Sequence, residues 1–74
     1  MNQRLIAARI AGTHPDGNLV WLTVNDHWTR NPQEAELIDD EAHGDIRLIE
    51  AQIVAKDIQD IRFVAAAEIG LLAS

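Results

Sequence analysis

The chain contains no cysteine and no tyrosine, one phenylalanine, and a single serine, Ser74. Without thiols there is no disulfide to staple a small core and no thiolate to ligate a metal or attack a substrate. A serine nucleophile is not expected either, since Ser74 stands outside every segment with a folding pattern. The four glycines (Gly12, Gly17, Gly44 and Gly70) are isolated from one another, so no phosphate-cradling loop is present. No apolar run approaches the length of a membrane span, and Arg9 interrupts the apolar N-terminal stretch too early for a signal peptide. Neither membrane contact nor export is expected, and the cytoplasm is the expected location.

Positive charge is also scarce. Six bases face twelve acids, for a net charge of −6. Residues 1–33 hold three arginines against two aspartates. Residues 34–74 hold ten acids against Arg47, Lys56 and Arg62. Glu34, Glu36, Asp39, Asp40, Glu41 and Asp45 follow one another with no base between them. Nucleic-acid binding needs clustered cations to neutralise phosphate, so DNA and RNA are excluded as expected partners.

What is present suits one small folded domain over residues 1–74. Hydrophobic residues make up 47% of the 74 positions, mostly Ala, Ile, Leu and Val. A core this small gains from pairing, so a protein partner is expected and self-association is left open.

Residues 4–11 read as a first strand or a short helix, because Ile6, Ala8 and Ile10 alternate among alanines. Gly12 to Asn18 is dense in turn residues. Leu19 to Val24 is the clearest strand, with Val20, Leu22 and Val24 on the expected core face and Trp21 opposite. An antiparallel hairpin of 4–11 with 19–24 follows, and Asn25-Asp26 turns the chain again. Asn31-Pro32-Gln33-Glu34 has the form of a helix start: a capping Asn, Pro at the first position and Glu at the third. Ala35, Ile38 and Ala42 would line that helix, which His43-Gly44 would end. Asp45 would cap a second helix packed through Ile46, Ile49 and Ile53. Beyond Val54 two readings compete. The spacing of Val54, Ile58, Ile61, Ala65, Ile69 and Leu72 continues a helix, whereas the β-branched run from Ile58 to Val64 permits a third strand. Residues 65–72 are alanine-rich and helical in either case.

The order Asp16-Gly17, Val20-Trp21-Leu22-Thr23, Trp28, Ala35 and Ile53 to Ile61 resembles a small bacterial domain family with no assigned molecular function. Genes of that family often lie beside the sulfite reductase gene of assimilatory sulfate reduction. The chain departs from the family pattern at Lys56-Asp57, where a proline–aromatic pair is usual, and in Ala65 to Leu72, which replaces a basic closing segment. Its first turn is a few residues longer. The resemblance implies that residues 58–63 form a strand joining the hairpin. The expected fold is therefore α+β, a small and largely antiparallel sheet packed against helices in the order β-β-α-α-β-α.

No arrangement with catalytic chemistry stands out. His14, His27 and His43 sit in or beside turns, without metal-ligand spacing. Glu36 and Asp40 would share a helix face, but on so small a domain that face is a solvated one. No enzyme activity, metal or cofactor is expected. Trp21 and Trp28 are the candidate partner-binding residues, flanked by Glu36 and Asp40, with Asp60 added by the resemblance. For Trp21 the opposing reading is burial beneath the helices. The function expected is that of a non-enzymatic accessory or protein-interaction module, linked by resemblance alone to sulfite reduction. The alternative is a small acidic regulator that neutralises a basic protein, as antitoxin-like proteins do.

Overall fold

A computed structural model of the chain describes residues 7–65. It contains β1 (Ala8–Thr13), β2 (Leu19–Leu22), β3 (Trp28–Thr29), a single 3-10 turn (Pro32–Glu34), α1 (Glu41–Ile53) and β4 (Gln59–Ala65). The strands form one antiparallel sheet in the order β3-β2-β1-β4. The fold is α+β as expected, but its order differs: a short third strand appears at Trp28, and among the described residues there is one helix. Of the helix expected over 65–72, Ala65 closes β4 and the remainder lies outside the described residues.

The first turn closes through Asp16, whose carboxylate accepts from the Asn18 amide at 3.0 Å, and through Gly17 at φ +91°. The second is held by Thr23, whose amide donates to the His27 carbonyl at 2.8 Å while its hydroxyl accepts from the His27 amide at 3.1 Å. Val24 therefore lies in a turn and is exposed rather than on the core face. Gly12 is needed where it stands. A Cβ there would lie 2.2 Å from Cγ2 of Ile58 and 3.4 Å from the Trp28 ring.

The run from Asn31 begins a helix and then abandons it. Asn31 caps the Gln33 amide at 3.0 Å, but Glu34 bonds the Thr29 hydroxyl at 2.8 Å instead of reaching back to the cap. Ala35 is already extended, at φ −74° and ψ 151°. The cause lies in the sheet. β1 runs past the end of β2, so the backbone groups of Ala8 need another partner. Ile38 supplies it through two 2.8 Å hydrogen bonds, one donated by each residue, and the Glu36 amide bonds the Leu22 carbonyl at 3.0 Å. Residues 36–38 thus continue the row that β2 leaves unfinished.

The helix that does form starts at Glu41. Asp40 is its cap, accepting from the His43 amide at 3.0 Å. Gly44, expected to end one helix, and Asp45, expected to cap the next, both lie within α1. Both faces of the sheet are covered. Ile10, Leu22, Ile38 and Ala51 pack on the α1 side with Trp28, Leu48, Val54 and Ile61. Ala11, Trp21, Ala35 and Val64 pack on the other.

β4 settles the competition after Val54 in favour of a strand. It pairs with β1 from Ala8↔Ala65 to Thr13↔Gln59, with one extra residue on β4 between Ala11 and Thr13. Asp60 sits in that bulge at φ +55°, a left-handed conformation that Asp tolerates better than most residues.

Candidate interaction surface

The aromatic residues singled out by the sequence belong to the core. Trp21 is only 3% exposed and clusters with Ala11, Ala35 and Val64 on its face of the sheet. It is therefore not a contact surface, and the reading of Trp21 as a partner residue is corrected. Trp28 is half-buried on the opposite face, opposite Leu22 in the ladder, and its Nε1 donates to the Val54 carbonyl at 3.3 Å. That bond ties β3 to the end of α1.

Glu36 and Asp40 share no helix face, since no helix spans them, and they do not flank a Trp21 patch. Asp40 is spent on the cap of α1. Glu36 is half-buried and turned toward a group that sequence reading counted only as a charge, Arg47. Arg47 is the one charged residue among the described buried positions. Its Nε donates to Glu36 at 2.6 Å, one terminal nitrogen donates to Asp26 at 2.7 Å and to Glu50, and the other donates to the Thr23 carbonyl at 3.1 Å. His43 Nε2 meets the second Glu36 oxygen at 3.0 Å. Burial alone would push the Glu36 carboxyl up; the bonds from His43 and Arg47 outweigh it and hold it below the usual carboxylate range. Burial likewise works against the Arg47 charge, and Asp26, Glu36 and Glu50 together more than restore it. A buried guanidinium with three carboxylates is the arrangement that a low-dielectric site requires. It joins the β2–β3 turn, the segment after the 3-10 turn, and α1. Asp60 takes no part: Arg62 donates to its backbone carbonyl at 2.6 Å.

Arg47 also fixes which side of α1 faces inward. The residues against the sheet are Gly44, Arg47 and Ala51, with Leu48 partly buried beside them. Gly44 allows a close approach, since a Cβ there would stand 3.3 Å from both Ile38 and the Phe63 ring. At 3.6 residues per turn, Ala42, Ile46, Ile49 and Ile53 fall on the far side of the helix. The isoleucines expected to form the packing stripe are the ones left outside: Ile46, Ile49 and Ile53 are 56%, 60% and 74% exposed. Burying an isoleucine contributes about 1.5–3 kcal/mol, so covering this stripe would release roughly 3–6 kcal/mol. Asp45 and Glu50 flank it. A small apolar recess of about 170 Å³, lined by Ala8, Ile38, Gly44 and Phe63 with Glu41 and Asp45 at its rim, opens beside the first turn of the helix.

A cleft of about 370 Å³ beside Trp28 is lined by His14, Arg30, Lys56 and Asp57. Arg30 there is already paired with Asp16 at 2.6 Å. Among the described residues no three His, Cys, Asp or Glu side chains are grouped to hold a metal ion, and no helix is long and apolar enough to cross a membrane.

The profile of a family described as "Protein of unknown function (DUF2849)" matches residues 10–71, a span that takes in β2 to β4 and α1 whole. The chain belongs to this family. No curated protein and no solved structure matches it. Membership of a family without an assigned function agrees with that part of the resemblance carried by Asp16-Gly17, Val20 to Thr23, Trp28, Ala35 and Ile53 to Ile61. It leaves the working surface to be argued from the geometry of α1.

Proposed function

We propose that this domain is a protein-interaction module without catalytic activity of its own, an accessory component whose working surface is the outer face of α1. The observation that carries the reading is the solvent exposure of Ile46, Ile49 and Ile53 on a helix already anchored by its opposite side. Leaving three isoleucines in one exposed row on a small domain is costly unless another surface covers them. The absence of cysteine, and of any serine before Ser74, supports a non-enzymatic role. The resemblance to a family whose genes neighbour sulfite reductase supports an accessory role in sulfite reduction. A second reading, a small acidic regulator that neutralises a basic protein, is favoured by Asp45 and Glu50 beside the same stripe.

The test is affinity capture of the tagged protein from its own cells grown on sulfate, run in parallel with Ile49→Asp. Recovery of sulfite reductase or an adjacent pathway enzyme by the parent and not by the variant supports the accessory reading. Recovery of one basic protein with the same dependence on Ile49 moves the assignment to the neutraliser. Capture that is equal for parent and variant, or no specific capture, overturns the role given to α1.

A further inference from the structure

We infer that the outer face of α1 receives a basic amphipathic helix from a different protein, with Ile46, Ile49 and Ile53 as the seam and Asp45 and Glu50 as the charges that select it. This rests on the reading of that face as an interaction surface and adds the chemistry of the occupant.

The spacing is the first argument. From Ala42 to Ile46 is four residues, to Ile49 three, and to Ile53 four, the alternation of the d and a positions of a heptad seam. Such a seam fits side chains from another helix into its gaps, whereas an extended peptide would meet it with side chains alternating at the wrong period. The flanks are the second argument. In this register Asp45 and Gln52 take the g positions, and His43 and Glu50 take the e positions. Glu50 shares the single charge of Arg47 with Asp26 and Glu36, so Asp45 is the unshared acid of the flanks and the Arg47 group stays negative on balance. No basic side chain is available at these positions to answer an acidic partner. His43 is turned to Glu36, and Arg47, the cation of α1, is buried among three carboxylates. Glu41 and Asp45 extend the acidic margin to the recess beside Phe63. A Lys or Arg at the facing positions of a partner would be paired, and a Glu would be repelled.

A second copy of the chain fits less well. Side-by-side parallel pairing would set Asp45 of one copy against Glu50 of the other. Either orientation brings together two chains of net charge −6 over a seam of three isoleucines and an alanine. So short a seam gains too little from burial to overcome the ordering cost of association without help from opposite charge.

The probes are two synthetic 21-residue helices with Ile and Leu on the seam, one carrying Lys at every e and g position and the other Glu. Binding to the full chain is followed by fluorescence anisotropy, and the chain alone is run in sedimentation equilibrium. The Lys helix is expected to bind at least about tenfold more tightly than the Glu helix, and to weaken as salt is raised. Ile49→Asp is expected to reduce Lys-helix binding by about tenfold or more while the helical circular dichroism is unchanged, since the residue is largely exposed. Asp45→Lys is expected to narrow or reverse the preference between the two helices, which general attraction to an acidic protein would not do. Equal binding of both helices, or Lys-helix binding indifferent to Ile49→Asp, overturns the inference. A chain that dimerises alone and becomes monomeric with Ile49→Asp overturns it too, while leaving α1 as an interaction face. If neither helix binds and the chain is monomeric, the basic-helix assignment falls, and the capture experiment above judges the broader role independently.

Discussion

Replacing Arg47 with methionine tests the account of what orients α1. Methionine keeps much of the side-chain length and the helical preference, so the change removes mainly the charge and its hydrogen bonds. Three carboxylates lose their cation, but not equally. Asp26 and Glu50 are nearly half exposed and regain water, so each loss is small, about 0–1 kcal/mol. Glu36 is 17% exposed in its side chain and keeps only His43 as a partner. Removing one member of a buried pair costs about 3–5 kcal/mol, and partial exposure places this case near the lower end, about 3 kcal/mol. For 74 residues the whole stability is about 4–11 kcal/mol, so the loss is a large share of it. Urea unfolding followed by tryptophan fluorescence reads the midpoint at constant slope. The double variant with Glu36→Gln leaves no uncompensated buried charge and is expected to be more stable than Arg47→Met alone. A loss below about 1 kcal/mol, or a double variant whose losses simply add, would refute the view that Arg47 and Glu36 act as a coupled pair.

Three further outcomes follow from the same structure. Trp21→Ala empties a buried site between Ala11, Ala35 and Val64 and is expected to cost about 3–5 kcal/mol in urea unfolding; a cost near zero would return Trp21 to the surface. Gly12→Ala forces a methyl onto Ile58 and is expected to cost about 1–3 kcal/mol, and to cost clearly less when introduced into an Ile58→Ala background, where the obstructing methyl is gone. On acidification, Glu36 has a folded pKa that burial would raise but that His43 and Arg47 hold below the ordinary glutamate value. Its contribution is thus fully present above that value and is lost as pH falls below it through the folded pKa. The midpoint in urea should therefore fall below about pH 4, and less steeply in Glu36→Gln; equal slopes in both proteins would remove Glu36 from the account.

Much of the frame was legible in the chain. Asp16-Gly17 marked the first turn, the β-branched run marked Leu19 to Leu22, and Asn31 marked a cap, each through a local preference that the fold obeys. The strand at Ile58 to Val64 was legible only with the family resemblance, because helical spacing over the same residues argued otherwise. What failed was everything decided by partners far apart in sequence. Pro32 begins a helix by every local rule, yet Ala8 claims Ile38 for the sheet and stretches the segment out. The isoleucines of α1 have the spacing of a core face, but a glycine, an alanine and an arginine held by Asp26 and Glu36 from other segments, with Glu50 one turn away, took that place. Periodicity identifies an apolar stripe; it does not say which way the stripe points.

Among the described residues β4 has a strand on one side only, so its outer backbone groups border the sheet. Such an edge invites other chains to add strands and grow aggregates. The bulge at Asp60 twists the edge there, and Asp60 and Arg62 place charge along it. A bulged and charged edge of that kind disfavours strand addition, the route by which a small open sheet would otherwise grow.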